Sequence, residues 1–291
     1  MPSIDTVKSS AGQVSACLHR VLPATPEDAV GILLYHRVSP SIDGIREPDF
    51  NVTPGVFRGH LEGLLERGHN FCKLQEILDR SAAGEAIPSN TTILTFDDGF
   101  ENVYLNAWPV LRELKIPATL FLNTAYLGSR IPFPFDPWGN EFQSLVPESS
   151  YRPLTHEQCR EMHATGLIEL GAHTHTHDDF RNRPDAFAKD LEENLKALRE
   201  AFAIDRITFA FPYGRVAMGY AGGELTEAAR RAGVRCALTT ECDRNLASGD
   251  AFSWGRCNVY EWDTPATLQA KLAGRYNWAP KLQELFTGTG R

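Results

Sequence analysis

Two adjacent carboxylates, Asp97 and Asp98, end the run Thr92-Ile93-Leu94-Thr95-Phe96 and precede Gly99. The run predicts a buried strand whose C-terminal tip delivers both acids into a cleft. Neighbouring carboxylates repel, so each needs a different partner. A cation on one and a proton-transfer task for the other satisfies both. The plainer alternative is an Asp-Asp-Gly turn with Asp98 capping the next helix.

A second cluster, His173-Thr174-His175-Thr176-His177, directly follows the apolar run from Leu167 to Ala172. In an extended segment all three imidazoles point the same way. In a helical turn His173 and His177 share a face. Both geometries include His173 and His177, which leaves His175 as a supporting or cleft residue. Asp98 with two imidazoles offers one oxygen and two nitrogen ligands. Three protein ligands with positions left open is the catalytic arrangement for zinc, which lowers the pKa of bound water towards ~7. The same donors accept cobalt or nickel. The competing reading is a polar loop whose histidines bond locally.

Other apolar runs predict strands at Ala29–His36, Ala118–Asn123, Ile207–Phe211 and Cys236–Thr239, with a short one at Val259–Tyr260. Helices are predicted between them: one opened by Thr53 as N-cap and Pro54 at the first position, others at 74–78, 102–114, 155–165, 185–203 and 222–232, and one after Thr264-Pro265. About seven strand–helix units imply a parallel sheet closed, or nearly closed, into a barrel. His36, Asp97, Asp98, His173, His177 and Tyr213 all fall at C-terminal strand ends, the rim where parallel α/β folds build their sites. The segment 128–150 is crowded with Pro132, Phe133, Pro134, Phe135, Pro137 and Trp138, and reads either as a cleft wall or as a packed surface excursion.

At 291 residues with 42 % hydrophobic content, one sizeable core is affordable. A formal charge of −8 argues against a nucleic-acid partner, and no apolar stretch reaches membrane-spanning length. The first thirty residues lack a basic start followed by an apolar segment, so no secretion signal and a cytoplasmic location are expected. Six cysteines without a C-x-x-C pair suggest reduced structural thiols. Residues 1–28 read as a lead-in with a short helix near 14–21. Residues 29–275 read as one domain and 276–291 as a tail. His19, His60, His69, His156 and His163 fall in predicted helices or at their ends and are expected at the surface.

The motifs Thr95-Phe96-Asp97-Asp98-Gly99 and His173-Thr174-His175-Thr176-His177 resemble the first two of the NodB-homology polysaccharide deacetylases, carbohydrate esterase family 4. Phe209-Ala210-Phe211-Pro212-Tyr213-Gly214 resembles the third. The resemblance covers roughly residues 28–275. It implies a distorted (β/α)7 barrel, a divalent metal such as Zn2+ held by Asp98, His173 and His177, Asp97 as general base, and the Tyr213 backbone N–H as an oxyanion donor. Two departures stand out. Most members carry an arginine, which orients the base, where this chain has Ala210. The late histidine motif that supplies the acid is missing. Leu34-Tyr35-His36 is similar to the permuted branch of poly-N-acetylglucosamine deacetylases, which implies His36 as the acid. Arg256, in Trp254-Gly255-Arg256, is the candidate for the absent arginine and, with Trp138, for substrate contact.

The implied activity is hydrolytic N-deacetylation of an amino sugar in a glycan or glycan precursor. A lipid-linked or nucleotide-sugar precursor would reconcile it with the expected absence of export. The alternatives are an amidase or cyclic imide hydrolase, and a glycan-binding module with a dead site, the latter suggested by Ala210.

Overall fold

The computed structural model describes residues 28–275, so the helix expected at 14–21 and the tail lie outside the described residues. The main sheet runs in the order β10 (Asn245–Leu246), β1 (Ala29–Tyr35), β5 (Thr91–Phe96), β6 (Ala118–Leu122), β7 (Ile168–Ala172), β8 (Phe209–Ala210), β9 (Ala237–Leu238). β4 (Asn70–Phe71) joins β5, and β11 (Cys257–Asn258) joins β1. Every pairing is parallel except β10 with β1. β1, β5 and β6 are buried along their whole length, as continuous apolar strands covered on both faces must be. β2 (Arg37–Val38) and β3 (Asn51–Val52) form a small separate ladder.

Helices α1 (Pro54–Glu66), α2 (Leu74–Ala83), α3 (Trp108–Leu114), α4 (Pro137–Phe142), α5 (His156–Ala164), α6 (Pro184–Phe202), α7 (Gly223–Ala232) and α8 (Pro265–Leu272) fill the connections. α6 buries Phe187, Leu191, Leu195, Leu198 and Phe202, a stripe at helical spacing. At about 1.5–3 kcal/mol per large apolar side chain, that stripe is worth on the order of 10 kcal/mol before chain entropy is subtracted. It fixes α6 firmly enough to carry a polar group under the site. The expected helix at 102–114 divides into a π-helical turn, Val103–Ala107, and α3. Pro109 lacks an N–H and interrupts the ladder there.

Several expectations are corrected. Thr53 precedes α1 without a side-chain cap, because its hydroxyl donates to Glu261 Oε1 at 2.8 Å. The strand expected at Val259–Tyr260 lies two residues earlier, and β10 was not expected. His60 and His69 are buried: His60 pairs with Tyr35 Oη and the Asp263 carbonyl, His69 with Thr92 Oγ1. The thiols are not all reduced. Cys242 and Cys257 are joined by a disulfide, while Cys72, Cys159 and Cys236 are free and buried. No local spacing announces a bridge whose halves meet only after the chain has folded.

Candidate active site

β5 ends at Phe96, and the Asp97 N–H donates to the Tyr35 carbonyl of β1 at 3.0 Å. The chain then reverses through two left-handed residues, Asp98 (φ 71°) and Gly99 (φ 85°). A Cβ on Gly99 would lie 2.8 Å from Leu122, so glycine alone suits that corner. The reversal is what presents two consecutive carboxylates on the same side. Both are buried, at 2 % and 7 % exposure.

Asp98 faces His173 and His177. Each Nε2 lies 3.5 Å from Asp98 Oδ1, and the three ligand atoms lie within 4.8 Å of one another. Those separations are too long for hydrogen bonds. They match the roughly 3.3 Å expected between atoms that share one ion at about 2.0–2.1 Å in tetrahedral geometry. Asp98 Oδ1 is buried and has no hydrogen-bond partner. Burial, then the neighbouring Asp97, pushes the Asp98 carboxyl well above its ordinary range. Burial pushes His173 down and His177 well down, so both imidazoles are neutral with a lone pair to give. An orphaned buried oxygen facing two neutral nitrogens fits a divalent cation by donor chemistry.

The histidine segment is neither extended nor helical. Thr174 (φ 64°) and His177 (φ 58°) are left-handed and fold it into a loop. His173 Nδ1–H donates to the Ala210 carbonyl at 2.8 Å, which leaves Nε2 free as the ligand atom. Asp190 on α6 accepts from the His175 N–H at 2.5 Å, the Thr176 N–H at 3.3 Å and the Thr176 hydroxyl at 2.6 Å. Asn123 donates to the His173 and Thr174 carbonyls. His175 Nδ1 pairs with Thr124 Oγ1, away from the ligand cluster. Asp190 and Asn123 escaped notice in the sequence: one reads as a surface charge on an amphipathic helix, the other as a strand end.

Asp97 takes a different partner. Arg256 Nη1 and Nη2 hold its two oxygens at 2.6 and 2.8 Å. Arg256 is fully buried and also donates to the Thr239 carbonyl and Thr95 Oγ1. Burial works against the Asp97 charge, but Arg256, with help from His173, overrides it and holds the carboxyl down at about 2. The expectation that Arg256 touches substrate is therefore corrected, since its guanidinium is spent behind the carboxylate and has no exposed surface.

These side chains open onto a cleft of about 500 Å³. His36, half-buried, stands on one wall, stacked on Phe50 with ring centroids 4.8 Å apart and its buried Nδ1 unpartnered. Burial lowers its pKa to about 4, with Asp97 pulling the other way. Tyr213 is left-handed (φ 61°), with its ring edge-on to His177 at 4.8 Å and its carbonyl accepting from the Thr240 hydroxyl. The aromatic segment does form a wall: Phe135 stacks on His177 at 3.9 Å. Trp138 borders the cleft but is only 4 % exposed, with its indole N–H donated to the Arg46 carbonyl, so it offers almost no face to a ligand. Arg37 helps to dock this segment: it pairs with Asp136 at 2.5 Å and lies over the Phe100 ring at 3.9 Å.

A parallel α/β sheet with a cation-ready cluster and an arginine-held carboxylate at its strand ends defines a class of hydrolytic site. The particular family follows from comparison. The polysaccharide deacetylase family model matches residues 85–237, and the chain belongs to that family. It is 29 % identical over 175 residues to the poly-β-1,6-N-acetyl-D-glucosamine N-deacetylase of Staphylococcus aureus, covering 57 % of this chain and 54 % of the relative. The chain thus spans about half the length of that relative. With the enzyme of the same description from Staphylococcus epidermidis it is 26 % identical over 262 residues, covering 79 % of this chain and 82 % of the relative. Among solved structures, IcaB from Ammonifex degensii superposes with a TM-score of 0.67 at 27 % identity, covering 84 % of this chain and 97 % of that one. The Streptococcus pyogenes deacetylase PplD shares the fold, at a TM-score of 0.67 and 20 % identity over 85 % of this chain and 99 % of that one.

Proposed function

We propose that the protein is a divalent-metal-dependent N-deacetylase acting on N-acetylglucosamine units of a polysaccharide, oligosaccharide or glycan precursor. The observation that carries this reading is a pair of neighbouring carboxylates given opposite partners: Asp98 to the imidazole pair, Asp97 to Arg256. The N-deacetylase activity for which the staphylococcal relatives are named, and the shared fold, support it.

A divalent cation held by Asp98, His173 and His177, zinc by preference, would supply Lewis acidity towards the acetyl carbonyl and acidify water. Asp97 accepts the proton of the attacking water. Arg256 keeps both carboxylate oxygens in one orientation, gaining aim at the expense of basicity. The Tyr213 N–H stabilises charge on the acetyl oxygen. The carbon–nitrogen bond breaks as His36 donates a proton to the departing amine, leaving acetate and a free amino sugar. Because burial holds His36 neutral near pH 7, it must collect that proton during the cycle.

The dead-site alternative loses its motive once Arg256 supplies the guanidinium missing at Ala210. We further propose that the sheet closes as a distorted (β/α)7 barrel. Residues 251–258 support this by lying between its two edges: Ala251 and Trp254 carbonyls accept from Ala237 and Thr239 of the β9 side, and β11 pairs with β1. The deciding experiment is acetate release from an N-acetylglucosamine pentamer. Release that stops with chelator, returns with Zn2+ and drops at least 100-fold in Asp97→Asn is expected. Release that survives both treatments would overturn the reading.

A further inference from the structure

Arg256 stands where the two edges of the sheet approach each other: Asp97, Thr239 and Thr95 hold its guanidinium, while its backbone rides on a segment with only short ladders. β11 is two residues long and follows Arg256 immediately. On the other side, Gly255 lies against the Glu241 backbone so closely that a Cβ would fall 1.8 Å from the Glu241 carbonyl oxygen. Asn245 exchanges hydrogen bonds with Gly255, and the Thr239 N–H donates to Trp254. The covalent tie between these segments is the Cys242–Cys257 disulfide. Its ends differ: Cys257 is 2 % exposed, whereas Cys242 is half-buried.

We propose that the Cys242–Cys257 bridge is a positioning element for Arg256 and, through it, for Asp97, so that a dithiol reductant gates turnover. This rests on the proposed role of Asp97. The chemistry is ordinary thiol exchange. A thiolate of the reductant attacks Sγ of Cys242, the less buried of the two residues. The S–S bond breaks and Cys257 leaves as a thiolate, which takes up a proton. The second thiol of the reductant then attacks the mixed disulfide and releases Cys242. Two electrons and two protons pass to the protein, and the reductant leaves as a disulfide. The Cys257 thiol, near the Lys271 carbonyl at 3.8 Å, has an acceptor waiting. The segment flanking Arg256 then keeps only its hydrogen bonds, and the backbone that aims the guanidinium at both Asp97 oxygens is less firmly fixed.

The test uses zinc-loaded full-length protein treated with a phosphine reductant, which avoids metal capture by added thiols. Denaturing thiol titration must show two additional thiols. Acetate release from the pentamer is expected to lose about tenfold in kcat with KM and zinc content unchanged, and to recover on reoxidation with oxidised glutathione. The Cys242→Ser/Cys257→Ser variant should show the low kcat whether or not reductant is present. Amide exchange across residues 251–259, read by mass spectrometry, should quicken on reduction. Because exchange needs no activity, it separates failure of this proposal from failure of the deacetylase reading. Reduced protein with unchanged exchange or unchanged kcat overturns the role of the bridge, even if the double variant does not fold.

Discussion

Asp98 Oδ1 is buried without a hydrogen bond and beside a second carboxylate, so without a cation its charge weakens the fold. Asp98→Asn is expected to stabilise the metal-free protein by about 1–3 kcal/mol while abolishing zinc binding. Calorimetry in chelator and metal analysis check the two halves, and a lower melting temperature for the variant would contradict the account. Arg256 makes the opposite contribution. Arg256→Lys keeps the charge but cannot hold two oxygens at once, so kcat should fall about 10- to 100-fold with little change in KM. Steady-state kinetics at equal zinc content decide it. The residues of this site divide by how far their partners lie along the chain. His36, Asp97, His173 and Tyr213 each close or follow an apolar run, which makes them legible without a structure. Arg256 reaches Asp97 from 159 positions away, so its motive was visible only as a gap at Ala210. Asp190 and the cysteine pair left no local mark at all.

Each element near the cleft serves by where it ends or what it clamps. β5 and β7 end at the ligands, as their apolar composition indicates. The segment 128–150 is different, because its aromatic content marks it as unusual without saying what fastens it. One fastening is Arg37, which is 4 % exposed and fixed by Asp136, the Ser150 carbonyl and the Phe100 ring, beside the buried Phe133 ring against Phe100 and the Trp138 indole on the Arg46 carbonyl. Arg37→Met strands Asp136 as a buried charge, at a cost of about 3–5 kcal/mol. A lower urea midpoint and new protease cleavage within 128–150 are the expected signs, and intact resistance to protease would show that the clamp is elsewhere. Trp138, expected as a platform for sugar, instead packs beneath this segment with Phe142. Sequence composition cannot tell an aromatic side chain that covers its own loop from one that waits for a ligand.

At the level of the whole molecule, Asp98, His173 and His177 link the end of β5 to the loop after β7, so a cation held between them would bear on global stability. Zinc at a thousand times its dissociation constant adds about 4 kcal/mol, equivalent to roughly 8–16 °C in melting temperature for a domain of this size. Thermal melts with chelator and with zinc read this directly, and identical melts would count against the cluster as a metal site. The alternation of strand and helix was plain in the sequence. The seam at 251–258 was not, because its ladders are two residues long and β10 runs against the rest.

That seam also sets an order on biosynthesis. Asp98, His173 and His177 leave the ribosome well before Arg256 does, so a growing chain acquires its ligand trio while the neighbouring carboxylate still has no guanidinium to hold it. A nascent protein halted near residue 250 would carry the strands on which the trio stands, with the Asp97 carboxylate still lacking the guanidinium that aims it.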